Sequence, residues 1–274
     1  DDTITKSELF ALSEWMLAGN RLTKADQTLA FEQEFRDWMG SRHAIFTNSG
    51  SSSNLLMIFA LKEAGLLRNN RAVAAAVSWV TTVSPLMQFG FDVSLCDCDR
   101  KNLGLDLDHL EYLCRTQKPS VLILVHVLGH ANHVLEIQEI CDRYGVLLLE
   151  DSCEALGSSI DGKKLGSHGL AGSFSFYYGH HISTIEGGMV VTDNDELNQI
   201  MLSLRSHGWS RDLSEERRLS LTQGHNVDAF RNLYTFYHPG FNLRSTDFQA
   251  FIGRSQLKKL DDIVKIRARN FAQY

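Results

Sequence analysis

Four short apolar runs punctuate the middle of the chain: Ala72 to Val77, Phe91 to Leu95, Ser120 to Val125 and Leu147 to Leu149. Between them lie stretches with helical character: one opened by Thr81 or Thr82 and running to Phe89, then Asp106 to Arg115 and Val134 to Tyr144. Strand and helix alternating across short turns predict one mostly parallel sheet with helices on both faces, an α/β fold. At 274 residues the chain can bury one large core or two modest ones, and no internal repeat or low-complexity linker divides it.

The flanks are helical. Lys6 to Leu17 places Leu9, Phe10, Leu12, Trp15 and Met16 at helical spacing, and Gly19-Asn20 ends that helix. A second helix is expected from about Asp26 to Met39, with Leu29, Phe31, Phe35 and Trp38 on its apolar side, and His43 to Thr47 reads as a strand. Stripes of this kind are core rather than cofactor contacts. An apolar helix is expected over Leu55 to Ala64, and Asn194 to Leu204 forms another. Arg205 to about Pro239 reads as a long irregular segment, the kind that is functional or mobile in a compact domain. The last helices are expected from Thr246 to Leu260 and from Asp262 to the end.

Composition narrows the partners. The net charge is −6 and no long basic run occurs, so nucleic acid is not expected as a partner. No apolar stretch reaches membrane-spanning length, and Asp1-Asp2-Thr3-Ile4 has neither a basic nor an apolar leader region, so a cytoplasmic location is expected. Five cysteines, an odd number, argue against a disulfide framework. Cys96-Asp97-Cys98 lacks the second pair a metal site would need, and His126, His130 and His133 lie on a strand end and a loop without a positioned carboxylate. No metal is expected.

Chemistry concentrates at two strand ends. Ser173-Phe174-Ser175-Phe176 turns through Gly179, displays His180 and His181, and closes on Glu186-Gly187-Gly188 before an apolar run resumes. Leu147 to Leu149 likewise ends in Glu150-Asp151. Open α/β sheets build sites where strand ends carry such groups. Asn48 to Asn54 is a small polar turn feeding a helix. It reads either as a phosphate cradle, with unpaired N–H groups and the helix dipole facing an anion, or as an ordinary serine N-cap. Trp79 reads either as core or as a ring-stacking surface.

Phe174-Ser175-Phe176, the spacer and Glu186-Gly187-Gly188-Met189 together resemble the DegT/DnrJ/EryC1 family of nucleotide-sugar enzymes. The resemblance covers nearly the whole chain and is sharpest between Ser49 and Arg244. It implies an aspartate-aminotransferase-like (fold type I) three-layer α/β/α large domain over 1–260, with 261–274 starting the helix toward a small C-terminal domain that is largely absent. Most members carry a lysine six residues before the Glu, where it holds pyridoxal 5'-phosphate (PLP) covalently. Here that position is His180, a replacement made by the family's sugar 3-dehydratases. An imidazole cannot hold PLP in that way but can move protons near neutral pH.

The resemblance therefore implies a PLP/pyridoxamine 5'-phosphate-dependent dehydratase with His180 as its base and L-glutamate as amine donor. The implied substrate is a nucleotide-linked 4-keto-6-deoxy sugar that loses its C3 hydroxyl, in the making of colitose-type 3,6-dideoxysugars of the lipopolysaccharide O-antigen. GDP-4-keto-6-deoxy-D-mannose is the substrate that overall similarity suggests. A sugar 4-aminotransferase and a non-catalytic PLP-fold protein are the alternatives.

By matched position, Gly50 and Ser51 take the phosphate, Trp79 stacks on the ring, Asp151 pairs with the ring nitrogen, and Glu154 and Ser175 adjoin the cofactor. Asn242, in Gly240-Phe241-Asn242-Leu243-Arg244, reaches the cofactor phosphate of a partner subunit, which implies a homodimer. A related dehydratase acting on CDP-sugars binds an iron–sulfur cluster through one cysteine at the position Cys153 matches and others downstream of the histidine segment. This chain has none after Cys153, which reads as structural.

Overall fold

The computed structural model describes residues 3–273; Asp1, Asp2 and Tyr274, the outer ends of the segments just read, lie outside it. Helices α1 (Lys6–Leu17) and α2 (Asp26–Met39) lead into strand β1 (His43–Thr47). The alternation follows as α3 (Gly50–Glu63), β2 (Arg71–Ala75), α4 (Val80–Gln88), β3 (Asp92–Cys96), α5 (Leu107–Gln117), β4 (Val121–Val125), α6 (Val134–Tyr144) and β5 (Leu147–Asp151). A small hairpin, β6 (Ser159–Ile160) and β7 (Lys163–Lys164), precedes β8 (Ala171–Ser175) and β9 (Gly188–Thr192). Helices α7 (Asp195–Arg205), α8 (Glu215–Gly224), α9 (Ala229–Asn232), α10 (Asp247–Leu257) and α11 (Leu260–Phe271) complete the described chain.

The main sheet has seven strands in the order β1-β9-β8-β5-β4-β2-β3. All neighbours are parallel except β9, which runs antiparallel to both β8 and β1. Ser175 pairs with Gly188, Thr47 pairs with Gly188 from the other side, and Val125 pairs with Asp151. The carboxyl ends of β1, β4, β5 and β8 therefore meet along one edge of the sheet.

Successive side chains of β4 feed opposite layers, as strand geometry requires. Val121 and Ile123 join the layer of Leu56, Met57 and Ile200, while Leu122 and Leu124 join Leu110, Ile137 and Ile140. A third, aromatic cluster of Phe31, Phe35, Phe46, Phe174 and Phe176 packs α2 against the β1–β8 end. None of the described helices is long and apolar enough to cross a membrane.

Two expectations are corrected. Helix α3 starts at Gly50, not Leu55, with Ser49 as its N-cap accepting from the Ser52 N–H at 3.1 Å. Its first turn is small and polar, so the apolar signal lags the backbone by five residues. The segment after Arg205 is not wholly irregular, since it contains α8 and α9. Helix α8 buries no residue and is held by the Ser214 cap and Glu215-Glu216 at its positive end, features that leave no apolar stripe to read.

Candidate active site

A cavity of about 420 Å³ opens at the carboxyl edge of the sheet. Gly50, Ser51, Trp79, Asp151, Glu154, Ser175 and His180 all line it, with Asn54, Tyr177 and Glu186. Strand register explains the gathering: Asp151 ends β5, Ser175 ends β8 beside it, and Gly50 starts the helix that follows β1.

Asp151 is the most fully held group. Its Oδ2 accepts from Asn54 Nδ2 at 2.8 Å and from the Thr82 hydroxyl at 2.8 Å, and its Oδ1 accepts from the Cys153 N–H at 3.2 Å. The Ser173 hydroxyl donates to Asn54 Oδ1 at 2.6 Å, which turns the amide's N–H side toward Asp151. Every contact is a donor, the complement of an ionised carboxylate. Cys153 beside it stays a thiol, because burial and then the Asp151 charge push its pKa well up.

The α3 N-terminus faces the same cavity. The Ser49 hydroxyl takes the Ser52 N–H, and the N–H groups of Gly50 and Ser51 meet no acceptor among the described residues. These free N–H groups and the helix dipole open onto the cavity, where they suit an anion, and Ser49 serves as the N-cap of the same turn. A Cβ on Gly50 would stand 2.6 Å from Ser175 Cβ and 2.9 Å from Cys153 Sγ, so only glycine lets the helix end approach the strand end this closely. Trp79 is the N-cap residue of α4 and is 70 % exposed at the cavity wall, which overturns the core reading of this ring.

Residues 176–187 form the excursion that carries the histidines. Phe176 anchors it, donating its N–H to Gly187 and accepting from the Thr184 N–H, both at 2.9 Å. His180 is half-buried in the cavity wall. Burial lowers its pKa; Glu154 and then Asp151 oppose this, and the Arg267 charge adds to it. Glu154 is fixed by the Leu128 N–H at 2.7 Å. His181 lines two neighbouring hollows with Arg267 instead, and burial, Arg267 and His180 lower its pKa to about 4.

Asn242 is exposed and does not line this chain's own cavity. It pairs with Ser206 beside the Arg244 strand bridge to Thr47. Among the described residues no group of three metal-ligating side chains converges, and all five cysteines are free. His130 stacks edge-on against Phe271, and His133 lies 3.6 Å from Glu136. His126 is buried against Glu150.

Asn54 and Thr82, which hold Asp151, and Ser173, which sets the Asn54 amide, were not singled out by sequence reasoning. Asn54 lay in the recognised polar turn and Thr82 at a recognised helix start, but nothing in one sequence ties them to a strand end 97 and 69 residues away.

The residues fit PLP on the structure's own terms. An anion cradle and an inward carboxylate lie on one cavity, with a broad aromatic face at its wall. Fold and site together define the class: an aspartate-aminotransferase-like, fold type I PLP enzyme. The chain belongs to the DegT/DnrJ/EryC1/StrS aminotransferase family, which it matches over residues 3–274.

It is 37 % identical over 271 residues to a GDP-4-keto-6-deoxy-D-mannose 3-dehydratase of Yersinia pseudotuberculosis, an alignment covering 98 % of this chain and 68 % of that protein. A solved structure of GDP-4-keto-6-deoxymannose-3-dehydratase with bound GDP-perosamine superposes with a TM-score of 0.89 at 34 % identity, covering 99 % of this chain and 70 % of the other. Another, with a trapped PLP-glutamate geminal diamine, gives 0.84 at 33 % identity over 95 % and 67 %. The chain spans about two thirds of the length of these curated 3-dehydratase relatives.

Proposed function

We propose that this chain carries the active site of a PLP-dependent 3-dehydratase that removes the C3 hydroxyl of a nucleotide-linked 4-keto-6-deoxy sugar, with L-glutamate as amine donor. One observation carries the reading. The cavity holds an imidazole at the position of the family's lysine, and no lysine lines it among the described residues. GDP-4-keto-6-deoxy-D-mannose is the proposed substrate because it is the one in the names of the relatives.

When bound, the cofactor supplies an amine able to condense with the sugar's 4-keto group and a ring that withdraws electrons as the C3 hydroxyl leaves. The chain's residues supply the rest. The Gly50 and Ser51 N–H groups take the phosphate. Asp151, held by Asn54, Thr82 and the Cys153 N–H, keeps a proton on the ring nitrogen. Trp79 would offer its exposed ring to the cofactor, and Ser175 and Glu154 bound the pocket between strand end and excursion.

His180 is the base. Its lowered pKa leaves Nδ1 or Nε2 bare at neutral pH, ready to accept a proton and return it to the leaving hydroxyl. Lacking a side-chain amine, the pocket cannot recapture the cofactor before the sugar arrives. Asn242 does not line this cavity and serves the cofactor phosphate of a second copy, so the working unit is a homodimer.

Borohydride reduction of the PLP-loaded chain, followed by peptide mass spectrometry, tests this reading. The expected result is bound PLP by absorbance with no reduced adduct on the His180 peptide. A stable adduct on a lysine would return the chain to the aminotransferases.

A further inference from the structure

Directly behind Asp151 lies a second, wholly buried pair, His126 and Glu150, that the mechanism above does not use. Side chains alternate along β5, so Glu150 points into the layer opposite Asp151. Its carboxylate collects four donors. Oε2 accepts from His126 Nε2 at 2.8 Å and from the Gly166 N–H at 2.8 Å, while Oε1 accepts from the N–H groups of His168 and Gly169, both at 2.6 Å. These bonds keep Glu150 ionised. Burial alone would raise its pKa, but the His126 ring and the backbone N–H groups bring it below the ordinary value.

The pair spans three strands. His126 follows β4, and its own N–H donates to the Asp151 carbonyl at 3.1 Å. The turn held by Glu150 leads into β8, where Ser173 sets the Asn54 amide that grips the Asp151 carboxylate. Gly166 has φ +92° and passes so close to Phe174 and Ser152 that a side chain there would collide with both, which keeps the turn pressed against β5.

The ring's other nitrogen, Nδ1, is buried and meets no partner. A proton there would be an unmet donor cut off from water, a rarer and costlier arrangement than a bare acceptor. The His168 ring does not reach the carboxylate; its Nε2 faces the Lys163 carbonyl. The geometry therefore places an N–H at Nε2 of His126, directed at Glu150.

We infer that His126 is a positioning residue: through its Nε2–H it holds Glu150 and so fixes, from behind, the strand end that presents Asp151 to the cofactor ring. The inference rests on the reading that Asp151 is the partner of the ring nitrogen. A merely structural pair would change the melting temperature and leave the state of the bound cofactor alone; a positioning pair changes that state.

The test uses the chain loaded with PLP carrying ¹⁵N in the ring, and reads the nitrogen's protonation by NMR at pH 8 together with the Kd for PLP. His126→Gln can place an N–H donor toward Glu150, whereas His126→Leu cannot. The expected result is a protonated ring nitrogen in the parent chain and in His126→Gln. In His126→Leu that proton is lost and the Kd rises about tenfold, the scale of one hydrogen bond to a charged group.

Asp151→Asn separates the two claims. If it keeps the ring proton, the reading of Asp151 fails. If it loses the proton while His126→Leu keeps both proton and affinity, the positioning role is overturned and the reading stands. Should His126→Leu not fold, Glu150→Gln takes its place with the same expectation. The unaltered chain offers a check that needs no altered protein to fold. With ¹⁵N-histidine, His126 shows a proton on Nε2, and a bare Nε2 overturns the inference.

Discussion

Replacing Gly50 with alanine sets two known effects against each other. Alanine is the better helix former, by up to about 1 kcal/mol in a helix interior and less in a first turn. Against this stands the close approach. The new Cβ would lie 2.6 Å from Ser175 Cβ and 2.9 Å from Cys153 Sγ, where carbon atoms rest at about 3.5–4.0 Å. Ser175 is buried at the end of β8, hydrogen-bonded between β5 and β9, so the strand cannot give way. The helix end must move instead, and overpacking of this kind costs about 1–3 kcal/mol.

The clash wins, for a net loss of about 1–2 kcal/mol. At about 2–4 °C per kcal/mol for a chain of this size, the melting temperature falls by roughly 2–8 °C. The shift also carries the Gly50 and Ser51 N–H groups off their mark. PLP should bind about tenfold more weakly, the scale of one hydrogen bond to a charged group. Pyridoxal, which lacks the phosphate, should bind as before. Calorimetry and paired titrations with the two ligands measure this. An alanine variant that melts at or above the parent and binds PLP equally well would refute the argument from close approach.

Other consequences follow from the same contacts. Thr82→Val removes a buried hydroxyl that donates to Asp151, and should cost about 1.5–3 kcal/mol in denaturant unfolding; Thr81→Val, whose hydroxyl meets only Ser51 near the surface, should cost far less. Because the His180 pKa lies below 6.5, the acid limb of the rate profile should fall below that pH. Glu154→Gln should move the limb to still lower pH and Arg267→Gln should move it up, as rate measurements across pH would show. The lowered pKa values of His180 and His181 also act on folding: stability from this source is complete above pH 6.5, the unfolded value, and falls as pH drops toward 4, which melting curves across that window would reveal. Arg205→Met leaves Glu32 buried without its cation and frees the Phe46 carbonyl, so unfolding should become about 3–5 kcal/mol easier.

The sequence carried the sheet well because each buried strand is a compact apolar run and each crossover helix has its own stripe. The bounds of α1, α2, β1 and α6 came out as read. What escaped was structure without an apolar signature: the polar first turn of α3, the solvent-facing α8 and the two-residue strands β6 and β7. At the site, the groups at strand ends were legible because charge after an apolar run stands out. Asn54, Thr82 and Ser173 were not, because each is an ordinary residue whose meaning comes from the Asp151 carboxylate that Asn54 and Thr82 face and from the Asn54 amide that Ser173 sets. His126 was set aside as one of several histidines; only burial against Glu150 separates it from His130 and His133.

The central claim is that an imidazole, and no amine, works at this cavity. It is tested most directly by following nitrogen when the PLP-loaded chain is given glutamate and GDP-4-keto-6-deoxy-D-mannose. Ammonia should appear in step with 2-oxoglutarate, and no amino sugar should form. An amino sugar in equal amount to the 2-oxoglutarate, with no free ammonia, would contradict the account.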